Sequence, residues 1–295
     1  MSKKPIVDGS PYRVPDDGSF RVDKARTAPP KRAADDDVQK DRLRDEIAKL
    51  DDLQKILFAH DHHSVLLVFQ AMDAAGKDST IRAVLSGVNP AGCQVHAFKR
   101  PSLEELDHDF LWRTTCRLPE RGRIGVFNRS YYEEVLAVKV HPKFLDAQRL
   151  SIGKHPKKFW KQRYASIRDH ERHLARNGTV IIKFWLNVSK EEQRQRFLAR
   201  LTEPEKNWKF EAADVAEREH WDAYMQAYED ALNETSRPWA PWYAIPADSK
   251  PYMRATVADV IVRTLENLNL QYPVSSAEQL AQFAELRMRL ENEFN

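Results

Sequence analysis

The chain has 295 residues, 42% hydrophobic and 31% charged, with a formal net charge of +3 at pH 7. That is ample for a sizeable core. It excludes a membrane-spanning helix, because no run of about 18 apolar residues occurs. The mild charge also argues against a generic nucleic-acid binder, so any anion site must come from local clustering of the 47 Lys and Arg.

Residues 1–35 are rich in Pro, Lys and Arg and lack periodicity, which reads as an extended basic arm, disordered or draped over a neighbour. The opening MSKKPIVDGSPYRV has no apolar h-region, so no secretory signal is expected. The two cysteines, Cys93 and Cys116, fit a reducing, cytoplasmic setting and are expected as free core thiols. A disulfide between them stays open, and no Cys and His set has zinc spacing. From about residue 36 the pattern turns helical, with Val38, Leu43, Ile47, Leu50, Leu53, Ile56 and Leu57 at three- to four-residue spacing. Asp35, Asp36 and Asp37 crowd the first turn, where the helix dipole favours acids. The HDHH run at 60–63 reads as a polar turn at the helix end.

Five apolar, β-rich runs then alternate with helical patterns: SVLLVFQ (64–70), CQVHAFK (93–99), RIGVFNR (123–129), TVIIKFWLNV (179–188) and WYAIPA (242–247). Continuous apolar strands separated by helices predict an α/β fold with a five-stranded parallel sheet covered on both faces. Such sheets bind ligands at the carboxyl ends of their strands. The charged segment at about 189–220, with Pro204 mid-way, reads as a helical lid, and 271–295 as a C-terminal helix.

The first strand runs into AMDAAGKDST, residues 71–80. A strand, a small-residue turn ending in Gly-Lys and a helix make up the layout of a phosphate-binding loop, whose backbone N–H groups and helix N-terminus converge on an anion. Against G-x-x-x-x-G-K-[ST], Ala71 replaces the first Gly and Asp78 the Ser or Thr. Acids beside phosphate call for a divalent cation, and magnesium suits one or two carboxylates with waters and phosphate oxygens. Asp73, inside the loop, is the better metal candidate. Asp78 is either a metal-shell residue or a helix-start charge, and Ser79 or Thr80 is an alternative hydroxyl.

The third strand ends in Asn128 and Arg129, followed by Glu133 and Glu134. Arg129 at a strand end could grip phosphate bidentately, or could pair with Glu133 on a surface at helical spacing. Further cations gather near strand ends. Lys99 and Arg100 follow the second strand, then come Arg113 and Arg117, and Arg196, Arg200 and Lys209 lie in the lid. A charge run is usually a solvated face, yet several clusters together suggest a phosphate-rich ligand.

QAMDAAGKDSTI, SGVNPAGCQVHAFKRPS, HDFLWR, LPERGRIGVFNRSYYEEVLAVKVHP and WAPWYAIPADSK closely resemble the family-2 polyphosphate kinases, in order over residues 36–270. MDAAGKD and the Asn before Arg129 look like the class III branch, which phosphorylates nucleoside mono- and diphosphates. The resemblance implies a P-loop kinase fold with a mobile lid, and magnesium, for which manganese can substitute. It implies inorganic polyphosphate as donor and AMP or ADP as acceptor, with GMP and GDP as further candidates, in a homo-oligomer, dimer or tetramer. Carried onto this sequence, Asp73 would hold metal and orient the acceptor, while Lys77 with the backbone of Ala74, Ala75, Gly76, Lys77 and Asp78 and with Ser79 would cradle polyphosphate. Asn128 and Arg129 would stand beside the metal and nucleotide, with Glu133 near the acceptor. Neither nucleic acid nor membrane is expected as a partner. Two other readings stay open on the residues alone, an ATP-dependent nucleoside monophosphate kinase and a non-catalytic polyphosphate- or RNA-binding protein.

Overall fold

Strand β1 (Ser64–Gln70) is buried along its whole length and sits at the centre of a five-stranded sheet in the order β2-β3-β1-β4-β5. The others are β2 (Cys93–Ala97), β3 (Ile124–Asn128), β4 (Thr179–Asn187) and β5 (Trp242–Pro246), and every pairing is parallel. The computed structural model describes residues 9–150, 153, 155–208, 210 and 212–293. The apolar runs in the sequence locate all five strands. β2 departs from the expectation of cover on both faces: as an edge strand it is only half buried, and Val95 is 50% exposed. Both cysteines are free; Cys93 is half-buried and Cys116 is exposed, not in the core.

The helices that matter for the site are α1 (Asp36–His60), α2 (Lys77–Val84), α3 (Pro156–Arg176), α4 (Lys190–Thr202), α5 (Trp221–Thr235), α6 (Lys250–Glu266) and α7 (Ala277–Glu291). Asp35 caps α1 by accepting from the N–H groups of Asp37 and Val38, and Asp61 ends it in the left-handed conformation. Leu50 and Leu57 bury the inner face of α1. Pro204 opens a separate short helix, Pro204–Asn207, so the segment after β4 is helical but broken there. No helix among the described residues is long and apolar enough to cross a membrane.

The chain leaves β1 toward β2 on one side, and β4 lies on the other. The carboxyl ends of β1 and β3 therefore open on a crevice where the strand order reverses, the place where such sheets bind ligands. The opposite edge is closed by the N-terminal arm. The Val14 N–H donates to Trp242 O at 2.9 Å and the Ala244 N–H to Tyr12 O at 2.8 Å, antiparallel to β5. Val14 is 1% exposed. Residues 12–14 of the arm thus lie on this chain's own sheet, where they supply the partner that an edge strand otherwise lacks.

Val14→Asp, which puts a carboxylate at this seam, is expected to lower the unfolding free energy by about 3 kcal/mol. Exposed Val38→Asp should stay within about 0.5 kcal/mol of the parent. Urea unfolding of the two variants checks this.

Candidate active site

The loop after β1 is held in a conformation that its own residues do not favour. Ala74 has φ +60° and Gly76 φ +106°. A left-handed Ala costs about 1–2 kcal/mol, so other groups must stabilise it. They come from α4. The Gln193 side chain donates to Asp73 O at 2.9 Å, and Arg196 Nη1 donates to Ala74 O at 3.1 Å and Ala75 O at 2.7 Å. With the carbonyls gripped, α2 begins at Lys77, and its first-turn N–H groups have no partner within the helix.

Lys77 lies buried under this loop, and its Nζ donates to Ala71 O at 2.7 Å and Met72 O at 3.3 Å. Burial, aided by the charge of Arg129, pushes its pKa down to about 8, against the pull of Asp73, Glu133 and Asp78. An anion in the loop would oppose that shift.

Asn128 and Arg129 stand beside the loop because β3 pairs with β1 in register, Asn128 opposite Phe69. Asn128 Nδ2 donates to Asp78 Oδ1 at 2.5 Å. Asp78 is therefore not merely a helix-start charge: it ties α2 to the end of β3. Arg129 takes a left-handed φ of +63°, and its N–H donates to Phe69 O at 3.0 Å. Its guanidinium reaches Asp73 Oδ1 at 2.6 Å and Glu133 Oε2 at 3.6 Å. Glu133, then Asp73, hold it firmly protonated against burial. The surface-pair reading of Arg129 and Glu133 gives way to a three-membered cluster at the loop mouth.

The segment after Arg129 is anchored in the core. Tyr131 and Tyr132 both donate to Glu171 Oε1 of α3, at 2.9 and 2.8 Å. Lys183, in the middle of β4, meets Glu171 Oε2 at 2.7 Å and also donates to Tyr132 and to Thr235 O. Burial pulls the Lys183 ammonium down and Glu171 opposes it. Sequence reasoning misses this network, although a single Lys inside IIKFW is the signal for a buried anion opposite it. It also misses Gln193, which shares a helix face with Arg196.

Beside the mouth lies a cavity of 480 Å³ lined by Phe98, Phe110, Phe144, Arg113, Arg129 and Glu133, with Lys99 and Arg100 at its rim. Its size and its mix of apolar walls and a few charges suit a small ligand. Arg113 is fixed there by Lys99 O at 2.8 Å and packs over the Phe98 ring.

Asp73, Lys77, Asp78, Asn128, Arg129 and Glu133 thus come together, with Ser79 half-buried beside them and bonded to Gly76 O. Thr80 is fully buried against Met253. Arg196 is not a free phosphate ligand here, because its three nitrogens are committed to Glu192 and to the carbonyls of Ala74, Ala75, Ala247 and Asp248. Arg200 pairs with Asp214 at 3.2 Å. Arg117 is exposed near His96 on the edge strand, and Lys209 lies outside the described residues.

The family model described as "Polyphosphate kinase 2 (PPK2)" matches residues 33–273. The chain belongs to the polyphosphate kinase 2 family. It is 58% identical over 249 residues to an ADP-polyphosphate phosphotransferase of Rhodopseudomonas palustris, covering 84% of this chain and 86% of that one. An AMP/ADP-polyphosphate phosphotransferase of Meiothermus ruber is 48% identical over 225 residues, 76% of this chain and 80% of that one. The crystal structure of polyphosphate kinase 2 from Arthrobacter aurescens superposes with a TM-score of 0.82 at 36% identity, covering 96% of this chain and 98% of the other. As in other polyphosphate kinase 2 proteins, the parallel sheet carries a P-loop kinase fold.

Glu171→Gln leaves Lys183 a buried cation without an anion, and is expected to cost about 3–5 kcal/mol in urea unfolding. Glu171→Leu combined with Lys183→Met should recover most of that loss if the pair serves stability alone. If instead the phenols need Glu171 to place Arg129, the double variant regains stability but not turnover.

Proposed function

We propose that this chain transfers the terminal phosphoryl group of inorganic polyphosphate to AMP or ADP, with GMP and GDP as further acceptors. The observation that carries the reading is the Arg129–Asp73–Glu133 cluster, set between the loop that holds Lys77 and a largely apolar cavity. Donor phosphates enter the loop over Lys77 and the N-terminus of α2, where they exchange Lys77's contacts with Ala71 O and Met72 O for their own oxygens. The acceptor's base and sugar occupy the cavity between Phe98, Phe110 and Phe144, and its phosphate meets Arg129. Arg129 is then released from Asp73 to a doubly charged partner that it can hold bidentately.

The acceptor is already an ionised phosphate, so no strong base is needed. What the protein supplies is alignment of two polyanions and cancellation of their repulsion. Asp73, Asp78 and the amide oxygen of Asn128 are hard oxygen donors at the mouth and suit magnesium or manganese. Among the described residues no three His, Cys, Asp or Glu side chains form a metal cage. One or two carboxylates with phosphate and water then make up the shell, as magnesium prefers. When bound, the ion would neutralise charge on the transferring group. The helical segment after β4 serves as the lid. Its Glu217 already hydrogen-bonds Tyr224 beside the mouth at 2.9 Å, and excluding water there would protect the transfer.

Incubating the protein with AMP or ADP, polyphosphate and magnesium, without ATP, should yield ADP and ATP. Chelation should stop turnover, and magnesium or manganese should restore it. Lys77→Ala and Asp73→Asn should each lose roughly 10²-fold or more in kcat. Wild type without product would overturn the reading, and turnover retained in both variants would move the site elsewhere.

A further inference from the structure

Between the phosphate loop and α5 lies a second cavity, of 30 Å³, lined by Asp73, Arg129 and Glu133 together with Glu217, Tyr224 and Tyr228. A water-sized atom needs about 10–15 Å³, so the space admits about two or three such atoms, the scale of a few phosphate oxygens. Three carboxylates face one cation there, and Arg129 is already engaged by Asp73 and Glu133. The Tyr224 hydroxyl is committed as well. It donates to Glu217 Oε2 at 2.9 Å, and His141 Nε2 meets the same oxygen at 3.0 Å.

Tyr228, one helical turn beyond Tyr224 on α5, is placed differently. It is 3% exposed, and its ring stacks on Trp185 with centroids 5.3 Å apart. Among the described residues its hydroxyl has no hydrogen-bond partner, yet its oxygen is not sealed from the cavity. A buried phenol ordinarily finds a partner for its hydroxyl. The stack on Trp185 does not need a hydroxyl, so packing alone leaves this one unexplained. Burial, and then the charge of Glu133, push its pKa well up, so it stays a donor throughout the working pH range. As a neutral donor it can meet an incoming anion without first forming an ion pair with the carboxylates beside it.

We propose that Tyr228 is a catalytic residue whose hydroxyl donates to a non-bridging oxygen of the acceptor's terminal phosphate. The inference rests on the reading above, in which that phosphate meets Arg129. Arg129 at the end of β3 and Tyr228 on α5 then grip it from two elements. In the transfer, another acceptor oxygen forms the new bond to the terminal phosphorus of the donor. The bond from that phosphorus to its bridging oxygen breaks, and the electron pair leaves on the shortened chain. The phenol keeps its proton throughout. Its hydrogen bond fixes which acceptor oxygen is left to face the donor, and cancels part of the charge crowded at the mouth.

The test is steady-state kinetics of the full chain with magnesium, varying ADP at saturating polyphosphate and then polyphosphate at saturating ADP. Wild type, Tyr228→Phe and Tyr228→Leu are compared. Tyr228→Phe keeps the ring on Trp185 and should unfold at the wild-type urea midpoint. It should lower kcat/KM for ADP roughly 10²-fold while KM for polyphosphate stays within about twofold, as loss of one donor to the acceptor requires. Tyr228→Leu, which removes the ring as well, should be no more active and less stable. Tyr228→Phe as active as wild type would overturn the proposal, because the ring alone would then suffice. A loss of activity that came with an equal rise in KM for polyphosphate, or with a lower urea midpoint, would also overturn it, since a packing defect spreads to both. Wild type without product would instead sink the functional reading on which the inference rests. An active wild type with an unaffected Tyr228→Phe sinks the inference alone.

Discussion

The site rests on a buried ion pair that never touches it. Glu171 and Lys183 are both fully buried, 2.7 Å apart, between α3 and β4. A pair so placed contributes little net stability against an apolar replacement. What it provides is direction. Glu171 accepts from two consecutive phenols, and these fix the 131–135 turn immediately after Arg129. Arg129 has a left-handed backbone conformation that an unanchored chain would leave. With Phe69 O on one side and the phenols on the other, the guanidinium is aimed at the loop mouth before any ligand arrives.

The loop is prepared in the same way from the opposite side. Gln193 and Arg196 take the loop carbonyls, and Arg196 also takes those of Ala247 and Asp248 after β5. One side chain thereby joins the loop after β1, the helix after β4 and the turn before α6. Within the mouth, carboxylates and polar or cationic side chains partner each other. Such preorganisation limits the rearrangement left for the moment of reaction.

Much of this is legible in the sequence because it is local. SVLLVFQ followed by a small-residue turn and Gly76-Lys77 specifies strand, loop and helix from neighbouring residues alone, and each apolar run finds its strand. The role of Asp78 is different in kind. It depends on β3 lying next to β1 in a register that brings Asn128 alongside, and register is a tertiary property. Helical spacing groups Arg196 with Arg200, yet one grips loop carbonyls and the other meets Asp214. Charge and spacing can nominate a cation, but only packing determines whether its donors remain available. The half-exposed β2 reflects the same limit, since composition reports how apolar a strand is and not whether it ends a sheet.

The N-terminal seam bears on how the molecule is made. Ser236 donates to Val14 O across 222 residues of sequence, and the same short stretch pairs with β5. During synthesis residues 12–14 leave the ribosome long before their partner exists. The central strands can assemble while β5 is still unmade, but β4 then remains a naked edge, open to wrong pairings. Closure comes only when Trp242 emerges and the two ends of the fold meet. The arm thus acts as a latch across 222 residues of chain, so the seam should be a slow, non-local step of folding.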